Sequence, residues 1–205
     1  MGHLPGPRLG RPRRQAILSL VPPGDIVVDV GCDHGYVTDA LGAIGVERFP
    51  HRLPARRAGP RVICDGLGCF ARVDVAILTG LGAAEIARIL EAGPTPGIAV
   101  LHAPDRPGWL RTWCAAHGWR IDAERLAPEH GHFAQVLRVV PGVEPHQGLL
   151  LEFGPLLKDD PLFPDHVADR TRWWTRQLAR TEGRDDAKAA QARAWVDFLQ
   201  GLTSG

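Results

Sequence analysis

The chain has 205 residues, with 24 lysines and arginines against 23 aspartates and glutamates, so its net charge of +1 excludes the strongly basic and strongly acidic classes. That length allows one medium-sized core with a small appendage, and the apolar and charged fractions, 44% and 23%, are those of a globular protein. No apolar run approaches the roughly 18 residues of a membrane span, and MGHLPGPRLGRPRRQ lacks the apolar stretch of a secretory signal, so the expected compartment is the cytoplasm.

Residues 9–20, LGRPRRQAILSL, are predicted to form a short helix with Pro12 in its first turn, stopped by Pro22-Pro23-Gly24. DIVVDVG is too continuously apolar to be half exposed and reads as a buried strand. YVTDALGA is a short helix and AIGVE (43–47) a second strand. RFPHRLPARRAGP (48–60), with three prolines, reads as a loop or one broken turn. RVICDG and VDVAILTG (73–80) are the third and fourth strands, AAEIARILEAG a helix ending at Gly93, and GIAVLHA the fifth strand. PGWLRTWCAAHG is a helix ended by Gly118, after which WRIDAERLA and FAQVLRVV flank PEHGH as an antiparallel hairpin.

Strand and helix alternating through five strands predict a parallel α/β sheet covered on both faces, with the hairpin adding antiparallel pairing at one edge. That is the architecture of Rossmann-like methyltransferases rather than of dehydrogenases. Residues 1–141 form this domain in the sequence reading. Residues 142–205 follow as a loop-rich connector, GLLLEFGPLLKDDPLF, and a small helical hairpin broken at Glu182-Gly183. Val167, Thr171, Trp174 and Leu178 fall on one helical stripe, and Trp195, Leu199 and Leu202 on another. Trp173 and Trp174 read as packing between these helices, with base stacking as the alternative.

Ligands of doubly wound sheets bind at the carboxyl ends of the strands, where strand order reverses. The first such turn is Asp29-Val30-Gly31-Cys32-Asp33-His34-Gly35. A dinucleotide loop would carry glycine where Asp33 stands, because a carboxylate repels a diphosphate. An acid there favours a cofactor bearing an ammonium and a sulfonium, S-adenosylmethionine. Glu47 ends the second strand, where a carboxylate accepts from both hydroxyls of a ribose; an ordinary surface glutamate is the alternative. Asp65 in CDGLG is placed to bond an adenine amino group, with Gly66 allowing close approach, and TGLGA (79–83) borders the substrate pocket.

Arginines gather in two places despite the balanced net charge: Arg8, Arg11, Arg13 and Arg14, and Arg48, Arg52, Arg56, Arg57 and Arg61. They read either as a phosphate-contacting face or as solvated surface. Cys32, Cys64, Cys69 and Cys114 form no C-x-x-C pair, and His130-x-His132 lacks a third ligand in view, so no metal is expected.

VDVGCDHGYV, ICDGLG, VDVAILTGLGAAEIARILEAG, LRTWCAAHGWRIDAERLAPEHGHF and GPLLKDDPLF together resemble the bacterial tRNA (adenine-22-N1)-methyltransferases over nearly the whole chain. The resemblance implies a domain binding S-adenosylmethionine, a C-terminal helical extension, and methylation of N1 of an adenine in tRNA. It implies cofactor contacts at Asp29, Gly31, Asp33, His34, Glu47, Asp65, Gly66, Leu67 and Gly80. Asp33, Tyr36 and Asp105 are the expected catalytic set, the acids stabilising the cationic product ring and Tyr36 positioning the base. His34 is either an orienting hydrogen-bonding group or a structural histidine. Arg11, Arg13, Arg14, Arg52, Arg56 and His102 are the expected tRNA contacts. The family's G-M-G-G is GLGA here, its Q-P-N is His102-Ala103-Pro104, and a tyrosine-glutamate pair falls on Ala134-Gln135. Those departures keep open methylation of a protein or small molecule, and a non-catalytic binding homologue. A monomer is the expected state.

Overall fold

The computed structural model describes residues 11–53 and 59–203. Helix α1 (Arg11–Leu20) precedes β1 (Val27–Val30), α2 (Tyr36–Leu41), β2 (Ile44–Glu47), a single 3-10 turn (Pro50–Arg52) and β3 (Arg61–Ile63). Then come β4 (Val75–Thr79), α3 (Ala83–Ala92), β5 (Ile98–His102), α4 (Pro107–Ala116), β6 (Trp119–Glu129) and β7 (His132–Pro141). The chain continues through α5 (Gly148–Phe153), a 3-10 turn (Leu157–Asp159), α6 (Phe163–Thr181) and α7 (Asp186–Gly201).

The seven strands form one sheet in the order β3-β2-β1-β4-β5-β7-β6. The first five are mutually parallel, and β7 runs antiparallel to both β5 and β6. Branched apolar side chains fill both faces of β1, β4 and β5, which is why these segments lack alternation. One face packs Ile86, Ile89 and Leu90 of α3 and Leu110 and Cys114 of α4 against Val28, Leu78 and Leu101. The other packs Ala16, Ile17 and Leu20 of α1 and Val37 of α2 against Ile77, Val100 and Val136.

Two sequence expectations change. The connector after Pro141 contains the helix α5, because Leu151 and Phe153 are buried, and its carbonyl at Glu152 accepts from Arg111 Nη1 at 3.1 Å. Trp174 does pack between α6 and α7, stacked on Trp195 at 5.3 Å and 7°, whereas Trp173 is 36% exposed. The helical pair turns as expected at Glu182-Gly183, and Asp185 caps α7 by accepting from Lys188 N–H at 3.0 Å. Among the described residues no helix is long and apolar enough to cross a membrane.

Candidate active site

Strand order reverses between β1 and β4, and the carboxyl ends of β1 to β4 border a cavity of about 540 Å³. That volume is typical of a small-molecule site. Of the residues singled out from sequence, Asp29, Gly31, Asp33, His34, Tyr36, Glu47, Arg13, Arg52, Asp65, Gly66 and Gly80 line it together.

The turn after β1 explains why an acid is tolerated there. Gly31 has φ +74, and a Cβ on it would stand 3.1 Å from Leu81 Cδ2, so the loop after β4 closes directly over it. Asp33 has φ +34, the left-handed region that glycine enters freely and aspartate enters more readily than most residues. The carboxylate thus occupies a glycine-like backbone, exposed at the cavity, 3.6 Å from His34 Nε2. Tyr36 opens α2, its ring 5.8 Å from that of His34 and 5.9 Å from the Arg14 guanidinium.

Asp29 is a deeper element of the same wall. Thr38 Oγ1 donates to it at 2.5 Å, tying β1 to α2, and burial pushes its carboxyl up to about 6 against that hydrogen bond. Glu47, 4% exposed at the end of β2, accepts from Phe49 N–H at 3.0 Å. The guanidinium groups of Arg48 and Arg52 lie over the Phe49 ring, at 5.0 and 5.1 Å from its centre. Asp65 pairs with Arg88 at 2.7 Å, and Arg88 is shared with Glu85 at 2.7 Å. A Cβ on Gly66, at φ +78, would meet Ile89 Cγ2 at 3.1 Å. Asp65 is thus neutralised by Arg88, whereas Asp33 and Glu47 have no arginine partner among the described residues and favour a ligand carrying positive charge over a diphosphate.

Other expected site residues lie elsewhere. Leu67 is 1% exposed and packs in the core, so its side chain does not reach the cavity. Asp105 lies outside the cavity because its carboxylate accepts from Ala83 N–H at 2.9 Å and caps α3. Burial raises its pKa, but the backbone donors of Ala83, Arg106 and its own N–H, with the Arg106 side chain, outweigh this and hold it below the usual carboxylate value. Arg13 is not a free phosphate ligand: it pairs with Glu129 of β6 at 2.7 Å. Arg11 opens α1, and Arg56 lies outside the described residues.

His102 lines a second cavity of about 230 Å³ with Ala103, Pro104, Glu129, His132 and Ala134. The two cavities adjoin, since Gly80 N–H donates to the His102 carbonyl at 3.0 Å and the Arg13–Glu129 pair has one member in each lining. His102 Nδ1 is 3.1 Å from the Gln135 carbonyl. A carbonyl only accepts, so Nδ1 carries the proton and the neutral ring leaves Nε2 as an acceptor. Nε2 is buried and has no partner among the described residues. Burial, with the charge of Arg13, lowers the His102 pKa against the opposing pull of the Gln135 hydrogen bond and Glu129. His130 and His132 are exposed at the hairpin turn, and no group of three metal-ligating side chains exists among the described residues.

Residues 61–195 match the sequence profile of TrmK, the tRNA (adenine(22)-N(1))-methyltransferase family. The chain belongs to this family. Among solved structures it resembles Sp1610 of Streptococcus pneumoniae, a candidate tRNA (m1A22) methyltransferase, at 24% identity and a TM-score of 0.80, covering 93% of this chain and 97% of that one. The same protein in complex with S-adenosyl-L-methionine matches at 25% identity and TM-score 0.72, covering 93% and 97%. M. capricolum TrmK, in complex with S-adenosyl-homocysteine, matches at 16% identity and TM-score 0.75 over 92% and 95%. No curated protein sequence matches the chain at a significant level.

For this TrmK-family chain, sequence reasoning missed the Arg88 bridge between Asp65 and Glu85, and the Arg13–Glu129 pair. The first was findable, because Glu85 and Arg88 are three apart on one helix. The second joins residues 116 apart in sequence and left no local signal.

Proposed function

We infer that the chain transfers the methyl group of S-adenosylmethionine to N1 of adenine 22 in tRNA. Family membership supports this, and the observation that carries it is the acidic wall of the larger cavity, with Asp33 on a glycine-like backbone. The residues present fit the cofactor: an acid in the first turn for its cationic end, Glu47 for the ribose hydroxyls, and Asp65 beside Gly66 for the adenine. Bound there, S-adenosylmethionine supplies an activated methyl group that the free lone pair of adenine N1 accepts without prior deprotonation.

The chain's own task is positioning, and alignment of the reacting atoms supplies much of such an acceleration. We assign the adjoining smaller cavity to the target adenine, which must leave any base pair to expose N1. The His102 Nε2 acceptor suits the 6-amino group of adenine and opposes a ring with a carbonyl there. Asp33 and Tyr36, at the cofactor side, are assigned to stabilising the charged product and orienting the base. Arg14 and Arg52 are assigned to phosphates, which hold the RNA in register while the pocket selects the base. The tRNA substrate supports a cytoplasmic site of action.

Incubation with labelled S-adenosylmethionine and an unmodified tRNA carrying adenine 22, followed by nucleoside analysis, should place label in N1-methyladenosine. An unlabelled nucleoside pool from that tRNA would defeat the assignment.

A further inference from the structure

A third cavity of about 510 Å³ lies between the end of β5 and the C-terminal helices. It shares Pro104, Pro107, His132, Phe133 and Gln135 with the cavity assigned to the adenine, so the two form one continuous surface. Nothing in the methyl-transfer reading uses it.

Three features converge on it. Arg170 is partly buried, with its guanidinium 4.5 Å over the Trp173 ring, and among the described residues no carboxylate lies within ion-pairing distance of it. Its neighbour Asp169 pairs with Arg172 instead, at 3.3 Å, and Asp105 is held by the N-terminus of α3. Trp173 is 36% exposed and is braced edge-on by Trp174 at 4.5 Å and 87°. His166 is 2% exposed, between Phe153 at 5.0 Å and Phe133 at 5.5 Å, and among the described residues neither of its ring nitrogens has a partner. A neutral imidazole in that position offers one donor and one acceptor.

Asp105, Glu152 and Asp169 also line the groove, and the charge of Asp169 acts on Arg170 without an ion-pair contact. A cation without an ion-pair partner, a rigid aromatic platform and an unmet donor–acceptor edge are the complements of a phosphate, a base face and a base edge. We propose that this groove binds one nucleotide neighbouring the methylated adenine in the tRNA strand, with Arg170 on its phosphate and Trp173 against its base. The proposal rests on the methyltransferase reading for the identity of the strand. It accounts for the different environments of two adjacent tryptophans: Trp174 closes the helical pair, and Trp173 faces the ligand. His166 lies at the floor, where the base edge would satisfy it.

The test uses the full chain and an unmodified tRNA transcript with adenine 22. Binding is measured by fluorescence anisotropy and methylation is measured separately. Trp173→Ala and Arg170→Gln should each weaken tRNA binding by about tenfold, the scale of losing one stacked base or one phosphate contact. Trp173→Phe should recover most of that loss, and cofactor affinity by calorimetry should be unchanged in all three. Arg170→Gln should also flatten the slope of log Kd against log salt by about 0.7, which Trp173→Ala should not. If both variants bind tRNA within about twofold of the parent, the subsite is wrong even though the parent methylates. If they lose binding but the parent makes no N1-methyladenosine, the subsite stands and the methylation reading falls. A parent that binds no tRNA overturns both.

Discussion

Replacing His166 by phenylalanine isolates the acid sensitivity that one buried imidazole gives the C-terminal half. The unfolded ring protonates near 6.5; in the folded chain burial, reinforced by Arg111 and Arg170 and only partly opposed by Asp169, pushes it down to about 3. Between those values the unfolded chain holds one more proton, so stability falls as pH falls, beginning near 6.5. At pH 4.5 the cost is about 3 kcal/mol, two pH units at roughly 1.4 kcal/mol each. Phenylalanine keeps a ring between Phe153 and Phe133 and has nothing to protonate. Urea unfolding of parent and His166→Phe at pH 7.5 and 4.5 should therefore show the variant gaining about 3 kcal/mol on the parent in acid. Other titrating groups cancel in this comparison, including Asp29, whose raised value acts in the opposite sense. If both proteins lose the same stability between the two pH values, His166 is not held neutral as argued.

Glu47→Gln keeps an acceptor for Phe49 N–H but cannot accept from two ribose hydroxyls; cofactor affinity by calorimetry should drop about tenfold or more, at roughly 1.5–3 kcal/mol for a charge-assisted bond. His102→Phe should lower kcat/KM for tRNA by about tenfold, with cofactor affinity retained, because the acceptor for the adenine amino group is gone. The Arg111–Glu124 pair is fully buried at 2.8 Å, so Arg111→Leu strands a carboxylate and should cost about 3–5 kcal/mol in denaturant unfolding.

The sheet was legible because its strands are buried on both faces: DIVVDVG, VDVAILTG and GIAVLHA carry runs that only a covered parallel sheet accommodates. The cofactor-side wall was legible for a related reason. In this topology residues at or shortly past each strand end reach the switch point, so Asp33, Glu47 and Asp65 could be read off without knowing any long-range contact. The acceptor side was not. Whether Asp105 faces a substrate or caps a helix depends on Ala83, 22 residues away, and Arg13 is neutralised by a partner on β6. The altered HAP segment likewise has no meaning until the Gln135 carbonyl fixes which nitrogen of His102 is bare. Helix α5 was hidden because GLLLEF is too short for a period to emerge, and its burial comes from α4.

Asp33 itself shows a conflict between stability and binding. A non-glycine residue at φ +34 carries a backbone cost of about 1 kcal/mol that glycine would avoid. Its side chain is exposed and, among the described residues, the one side chain within ion-pairing distance is the equally exposed His34, so the fold recovers little from this acid. A costly residue with no structural return is explained by what it binds. Asp33→Gly should thus stabilise the chain by up to about 1 kcal/mol while weakening S-adenosylmethionine binding. Asp33→Asn separates the two effects, since asparagine tolerates the same backbone but lacks the charge. Calorimetry should find cofactor affinity reduced in both variants, and unfolding should find a gain only in the glycine one. An asparagine variant that binds the cofactor as tightly as the parent would mean that charge at this turn does not select the methyl donor.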